Sequence, residues 1–138
     1  ATEIVEAVHK PLGFYEIREP KELLSVSCLK GESVALFCGI GDPDSFADLI
    51  AGLGINIGLD LRFDDHHHYS EEDLSRIADK AGAQNLEIIV TTEKDASRLS
   101  ATKLKLFRKH KLLVLRIALK ITKNEEQLLT RLLSLYSL

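Results

Sequence analysis

The chain has 138 residues, of which 45% are hydrophobic and 28% charged, and its formal net charge at pH 7 is -3. This length and balance predict a single globular domain over residues 1–138, and the acidic charge argues against a dedicated nucleic-acid-binding protein. Its apolar runs are too short for a transmembrane helix, and the first residues do not resemble a signal peptide.

Residues 1–32 are predicted to form a lead-in of strands and turns. A strand over residues 3–8 ends at a turn over residues 10–13, and residues 14–17 form a second short extended piece. Pro20 predicts a helical turn over the next four residues, because proline is favoured at the first helical position.

Two cysteines, Cys28 and Cys38, stand in apolar surroundings without CxxC spacing. We expect two free, partly buried thiols in a reducing compartment, with a disulfide or a metal role as the alternative.

Residues 33–138 are predicted to form regular strand–helix units. Residues 34–38 are a continuous apolar run, which is typical of a strand covered on both faces. Asp42 is an expected N-cap with Pro43 at the first helical position, and Gly54 ends this helix. Its apolar stripe consists of Phe46, Leu49, Ile50 and Leu53.

The pattern repeats over residues 55–63, where apolar residues occupy every second position as in a strand. A helix over residues 70–81 follows, with Ser70 as N-cap and Asp73 as the reciprocal partner of a capping box. Residues 82–83 are expected to close it.

A third strand is predicted over residues 86–90 and a fourth over residues 112–117. Between them, Thr92 is a candidate N-cap with Asp95 three residues on, and helical character continues to about His110 with an interruption at Ser100. Thr122 or Asn124 is expected to cap a last helix.

This alternation predicts an α/β fold with right-handed crossovers. We expect a mostly parallel sheet of about four to six strands with helices on both faces, Rossmann-like but without a P-loop. Three loops, over residues 39–42, 64–69 and 91–95, leave the carboxyl ends of strands and enter helices. They should therefore share one edge of the sheet, where ligands commonly bind.

The pair Asp65-His66 is the strongest chemical signal in these loops. A carboxylate beside an imidazole can fix the tautomer of the ring and let it accept a proton from a hydroxyl. A solvated loop or a structural cap is the alternative. In an extended chain the three consecutive histidines cannot converge on one ion, and no further Cys/His cluster accompanies them, so we expect no metal site.

The other two loops permit two interpretations each. Gly39, Gly41 and Asp42 match neither GxGxxG nor a Walker A motif, so they indicate either a phosphate-approach loop or a tight turn before a capped helix. Residues 91–95 permit two interpretations. They indicate either a helix start whose acidic residues complement the helix dipole, or a loop that offers Lys94 or a threonine hydroxyl to an anionic ligand or a partner domain. The basic residues over 103–111 suggest a solvated face, or a weak attraction to anionic lipid.

Three segments, over residues 37–46, 63–74 and 92–96, resemble motifs of the tetraacyldisaccharide 4′-kinases, which phosphorylate a lipid A disaccharide precursor with ATP. His9-Lys10-Pro11 and Leu29-Lys30-Gly31 resemble the lead-in of the same family. The resemblance covers nearly the whole chain but only the C-terminal part of that enzyme. It departs from the family at His68, where proline is usual.

The resemblance implies that His66, oriented by Asp65, works with an aspartate of a P-loop domain to activate the sugar hydroxyl. It implies a substrate or interdomain cleft formed by Gly39, Gly41, Asp42, His67, Thr92, Glu93, Lys94 and Asp95. ATP and Mg²⁺ would bind mainly to the N-terminal P-loop domain, which these residues lack, so the chain alone should be inactive.

The resemblance also implies partners and a location. The partners would be the P-loop domain and a lipid disaccharide, with no nucleic acid, and membrane contact would be peripheral and through the intact enzyme. The location would be the cytoplasm or the cytoplasmic face of the bacterial inner membrane. The sequence begins without methionine, and we expect a domain of a longer chain.

Two alternatives from other functional classes stay open. Asp65-His66-His67 spells the motif of a metal-dependent DHH-type phosphoesterase, although the further metal ligands are not found. A non-catalytic ligand-binding or regulatory α/β domain is the second alternative.

Overall fold

The computed structural model describes the backbone of residues 7–121 and the side chains of residues 9–118. The predicted strand over residues 3–8 lies mostly outside the described residues, and the predicted C-terminal helix after Thr122 lies wholly outside them. The elements in chain order are β1 (Ala7–Glu16), β2 (Ser33–Cys38), α1 (Pro43–Gly52), β3 (Asn56–Arg62), α2 (Glu71–Ala83), β4 (Ile88–Thr92), α3 (Glu93–Ala96), a 3₁₀ helix (Lys103–Phe107) and β5 (Lys111–Ile121).

The five strands form one sheet in the order β1-β5-β4-β2-β3. The pairs β2–β3, β2–β4 and β4–β5 are all parallel. The predicted α/β class with a mostly parallel sheet is therefore confirmed. Because these four strands run in one direction, their carboxyl ends meet at one edge of the sheet.

Helices cover both faces of the sheet, because side chains of β2 alternate between two apolar clusters. One cluster joins β2 to α1 and contains Val34, Leu36, Cys38, Phe46 and Ile50. The other joins β2 to α2 and the 3₁₀ helix and contains Ala35, Phe37, Leu74, Ile77 and Phe107.

The helix start and stop signals of α1 work as predicted. Asp42 accepts a hydrogen bond from the backbone N of Ser45, and Pro43 is the first helical residue. Gly54 has a φ of 78°, a left-handed conformation that ends helices and that glycine adopts at little cost.

Two predictions for the lead-in segment are wrong. The expected turn over residues 10–13 does not form, because β1 continues through Pro11. Proline is tolerated there because β1 lies at the edge of the sheet. Pro20 does not begin a helical turn but occupies the second position of a β-turn closed by Glu22 N donating to Glu19 O.

The elements after α2 also differ from the prediction. Residues 82–83 do not close α2, which includes Ala83 and is followed by Asn85 in a left-handed conformation with a φ of 56°. The predicted long helix after Thr92 is replaced by the short α3 and the 3₁₀ helix. The helical character is interrupted at Ser100, as predicted. The carbonyl oxygen and the hydroxyl of Ser100 both accept from Lys103 N, and this bond starts a new turn.

Both cysteines are free, as predicted. Cys38 is buried, and burial raises the pKa of its thiol to about 11. Cys28 is exposed rather than partly buried.

By its internal contacts the chain divides into two compact units, Leu12–Arg116 and a second one that groups Ala1–Pro11 with Ile117–Leu138. The first unit contains α1, α2 and the whole of β2, β3 and β4. The second contains, among the described residues, the beginning of β1 and the end of β5. The single domain over residues 1–138 stays a prediction. Every contact discussed below lies within Leu12–Arg116.

Candidate functional site

Gly39, the first residue after β2, connects the three loops at the carboxyl edge of the sheet. Its N donates to Asp95 Oδ1 at 2.9 Å, and its O accepts from the backbone N of His66 at 3.1 Å. A Cβ at this position would lie 2.8 Å from Asp64 O and 3.2 Å from the hydroxyl oxygen of Tyr69. Only glycine allows this close approach of the loops.

Asp95 is fully buried and anchors the site from β4 and α3. In addition to Gly39 N, its carboxylate accepts from the Tyr69 hydroxyl at 2.7 Å and from the Thr92 hydroxyl at 2.6 Å. A buried carboxylate with several donors is well satisfied. Burial, and then the hydrogen bond to Asp95, raise the pKa of the Tyr69 phenol.

His66 is held at its backbone but exposed at its ring. It has a positive φ of 62°, a conformation in which histidine is more frequent than most residues other than glycine. Its side chain is 80% exposed. The ring therefore projects from the sheet edge on a backbone that Gly39 fixes.

Asp65 is close to His66 but does not form a hydrogen bond with it. Asp65 Oδ2 lies 3.7 Å from His66 Nε2, beyond hydrogen-bond distance, and its side chain is 52% exposed. Gly41 adjoins this carboxylate, since a Cβ at Gly41 would lie 3.4 Å from Asp65 Oδ2. Asp65 thus supplies negative charge beside the ring.

Arg98, which the sequence analysis did not single out, makes the closest polar contact to the His66 ring. Its Nη2 lies 3.3 Å from His66 Nδ1, and its Nη1 donates to Gly39 O at 3.0 Å. The one available sequence signal was the spacing of three residues from Asp95, with which Arg98 pairs at 3.4 Å.

His67 packs inward instead of joining the exposed group. Its ring stacks on Phe63 at 4.7 Å, and its Nε2 lies 2.8 Å from Asp73 Oδ2. Asp73 also accepts from Ser70 N, completing the predicted capping box of α2. The Ser70 backbone N–H, followed by His67, lowers the pKa of Asp73. The contacts of His67 are therefore those of a residue that fastens the loop to α2.

Three further predicted cleft residues lie at the starts of helices. Asp42 caps α1, and Thr92 caps α3 by accepting from Asp95 N. Glu93 accepts from the Tyr15 hydroxyl at 3.1 Å and lies 3.6 Å from Arg116 Nε. Burial, and then Glu93, raise the pKa of Tyr15.

The lysines of these segments differ from the prediction in one case. Lys94 is exposed at the carboxyl edge of the sheet. Lys103, expected on a solvated face, is half-buried and donates from Nζ to Tyr69 O at 2.6 Å. It therefore supports the loop over residues 64–69, the histidine loop, from the 3₁₀ helix.

Metal-binding groups and membrane-spanning helices are both absent from residues 7–121. In this part of the chain, no three His, Cys, Asp or Glu side chains lie close enough together to hold a metal ion. No helix there is both apolar enough and long enough to cross a membrane. An open cavity of about 150 Å³ lies between the end of β3 and α2. His66 is not among the residues that line it, which are Leu61, Arg62, Phe63, Asp73, Arg76, Ile77 and Lys80.

Comparisons with known proteins point to one family. The family described as tetraacyldisaccharide-1-P 4'-kinase matches residues 3–136. The tetraacyldisaccharide 4'-kinase of Elusimicrobium minutum is 35% identical over 124 residues, which are 90% of this chain and 32% of that protein. That of Bradyrhizobium diazoefficiens is 44% identical over 75 residues, which are 54% of this chain and 22% of that protein. The chain thus spans under a third of the length of these relatives.

A solved structure supports the fold. The crystal structure of LpxK from Aquifex aeolicus in complex with ATP superimposes with a TM-score of 0.55 and 22% sequence identity, covering 92% of this chain and 35% of that one. That structure supports the fold, whereas the family match over residues 3–136 is what separates this chain from the metal-dependent phosphoesterases.

Proposed function

This chain belongs to the tetraacyldisaccharide-1-P 4'-kinase family, and from that membership we propose that it forms the C-terminal part of an ATP-dependent lipid kinase. In this proposal it takes part in phosphorylating a lipid A disaccharide precursor, and it closes one side of a cleft whose other side is a P-loop domain. The observation that carries the proposal is the exposed His66 ring, held at the carboxyl edge of the sheet by Gly39 and Arg98.

Phosphoryl transfer depends mostly on positioning and on charge stabilisation, so a domain without a nucleotide site can still be essential to it. His66 would contact the acceptor hydroxyl or the group that deprotonates it. Asp65 would add negative charge next to Nε2, at 3.7 Å. Lys94 and Glu93 would face the partner domain or the substrate from the next loop along the edge.

We assign ATP and Mg²⁺ to the P-loop domain and not to this chain. The N-terminus of α1 already carries the capping carboxylate of Asp42 and the acidic Asp44, which disfavour a nucleotide phosphate there. Among the described residues, no three carboxylate or histidine side chains lie close enough together to hold a metal ion. Within the described residues, these two observations support assigning the nucleotide to the partner domain.

The same proposal sets the partners and the location. The acceptor would be a lipid disaccharide, which would reach the cleft by peripheral contact of the intact enzyme with the membrane. The site of action would be the cytoplasm or the cytoplasmic face of the bacterial inner membrane.

Complementation in trans tests this division of labour. The chain would be mixed with a separately produced P-loop domain of a family member, and phosphate transfer from radiolabelled ATP to tetraacyldisaccharide 1-phosphate would be measured. We expect no transfer by either part alone and transfer by the mixture. His66→Ala should lower the rate by about 10²–10⁴-fold, the usual contribution of a group that hydrogen-bonds to the reacting atoms or transfers a proton.

His68→Ala is the matched control, because His68 is an exposed neighbour of His66 in the same loop. It should leave the rate of the mixture nearly unchanged. Phosphorylation by the 138 residues unaided would refute the division of labour. No transfer by the mixture would favour a non-catalytic binding or regulatory domain.

A further inference from the structure

Arg98 is held in place independently of the histidine that it contacts. Its side chain is only 17% exposed, and Nη1 donates to Gly39 O at 3.0 Å and lies 3.4 Å from the buried carboxylate of Asp95. The guanidinium is planar, so two contacts through Nη1 also set the direction of Nη2. Nη2 is thus aimed at His66 by the buried part of the site.

A hydrogen bond between Arg98 and His66 can run in only one direction. Arginine carries donors and no acceptor, so His66 Nδ1, at 3.3 Å from Nη2, must be the acceptor. A neutral imidazole has one protonated and one unprotonated nitrogen. The proton of the neutral ring is then on Nε2, which is the nitrogen on the side of Asp65.

We propose that Arg98 is a positioning residue that fixes the ring orientation of His66 and holds its proton on Nε2. The backbone of His66 is bound to the same Gly39 oxygen that accepts from Arg98. Backbone and ring are thus fixed by one connected set of contacts, although 80% of the side chain is in solvent.

This inference rests on the proposed function where it concerns the reaction. With Nδ1 occupied by Arg98, the ring presents Nε2–H to the cleft. His66 then acts first as a hydrogen-bond donor to an oxygen of the substrate or of the partner domain. A role as proton acceptor through Nδ1 requires Arg98 to withdraw.

Imidazole ¹⁵N NMR on the 138-residue chain tests the tautomer without any kinase assay. His67 serves as an internal reference, because its Nε2 faces the Asp73 carboxylate and must carry the proton. In the neutral form, we expect separate protonated and unprotonated nitrogen signals for His66, like those of His67. In Arg98→Met the two signals should shift towards the averaged positions of the exposed His68.

Arg98→Lys keeps a cationic donor and should stay closer to the wild-type pattern than Arg98→Met does. The proposal is overturned if wild-type His66 already shows the averaged signals of His68, or if Arg98→Met leaves the His66 signals unmoved. An unchanged His67 pattern in each variant verifies that the loop is folded.

A chemical probe keeps the proposal testable if Arg98→Met does not fold. Diethyl pyrocarbonate reacts with an unprotonated imidazole nitrogen, and in His66 that nitrogen is covered by Arg98. In the wild-type chain we expect His66 to be modified several-fold more slowly than His68, as read by peptide mass spectrometry. Equal rates would count against the proposal.

The two proposals can fail separately. If the tautomer and the modification rates are as expected but the mixture with a P-loop domain is inactive, the proposed function fails and the role of Arg98 stands. If the mixture is active, Arg98→Met should lower kcat and leave KM nearly unchanged.

Discussion

At the scale of single residues, the site depends on the absence of a side chain at Gly39. The loop after β2 passes within contact distance of Asp64 and Tyr69, and a Cβ would approach Asp64 O to 2.8 Å. A backbone atom cannot move away as easily as the end of a flexible side chain. A methyl group at Gly39 can therefore be accommodated only if the histidine loop shifts.

We expect Gly39→Ala to lower the free energy of unfolding by about 1–3 kcal/mol, the usual cost of overpacking. Urea denaturation followed by circular dichroism would measure it. The matched control is Gly82→Ala, because Gly82 lies in α2 and a Cβ there meets nothing within 4 Å. That variant should be neutral or more stable by up to about 1 kcal/mol. Equal effects of both substitutions would contradict the argument.

Single residues are also where sequence analysis reaches its limit. Asp65 and His66 could be selected because they are adjacent and stand in a predicted loop. Arg98 could not be selected in this way, because its partner Gly39 is 59 positions away along the chain. Glu93 could be placed at a helix start, but its partner Tyr15 is 78 positions away. Such pairings follow from strand order, which no local pattern contains.

At the scale of elements, the start of α2 combines a capping box with a hydrogen bond between His67 and Asp73. Asp73 accepts from Ser70 N and His67 Nε2, and its pKa is lowered. A carboxyl group whose pKa is lower in the folded state stabilises the fold when ionised. Its contribution is complete above the unfolded value of about 3.9 and is lost as the pH falls through the lower folded value.

We expect Asp73→Asn to lower the free energy of unfolding by about 1 kcal/mol at pH 6, the typical value of a helix cap. The difference from the wild type should shrink as the pH falls below about 4. Asp79→Asn, an exposed carboxylate on the same helix, is the control and should change little at either pH. A difference from the wild type that stays constant down to pH 2 would contradict the role of the ionised carboxylate.

Helix boundaries that carry their own signals were predicted correctly, and those without a signal, such as the end of α2, were not. α1 has Asp42, Pro43 and Gly54, and α2 has Ser70 and Asp73, all of which act as expected. The segment after Thr92 has a cap but no stop signal. Its apolar residues, including Leu99 and Leu104, fit a helical stripe yet pack on the core from turns and a 3₁₀ helix.

At the scale of the whole molecule, parallel pairing brings the three loops to one edge of the sheet. The alternation of strands and helices was enough to predict this arrangement, because parallel strands need crossovers. The strand order β1-β5-β4-β2-β3 was not predictable. It depends on which apolar faces fit together, and β2 and β4 are both suitably apolar for any central position.

The strand order predicts which amides are best protected. β2 is paired on both sides and its residues 34–38 are buried, whereas β3 lies at the edge with alternating exposure. We expect native-state hydrogen exchange to be slowest at β2 and β4 and faster at the amides of β3 that have no ladder partner. Uniform protection across β3 equal to that of β2 would contradict this order.

One peptide group has a consequence for how the edge can rearrange. The carbonyl of Gly39 accepts from both His66 N and Arg98 Nη1. Rotating the peptide between Gly39 and Ile40 turns this oxygen away from both donors simultaneously. The backbone of His66 and Nη1 of Arg98 would therefore lose this acceptor together, and Arg98 would keep its 3.4 Å contact with Asp95.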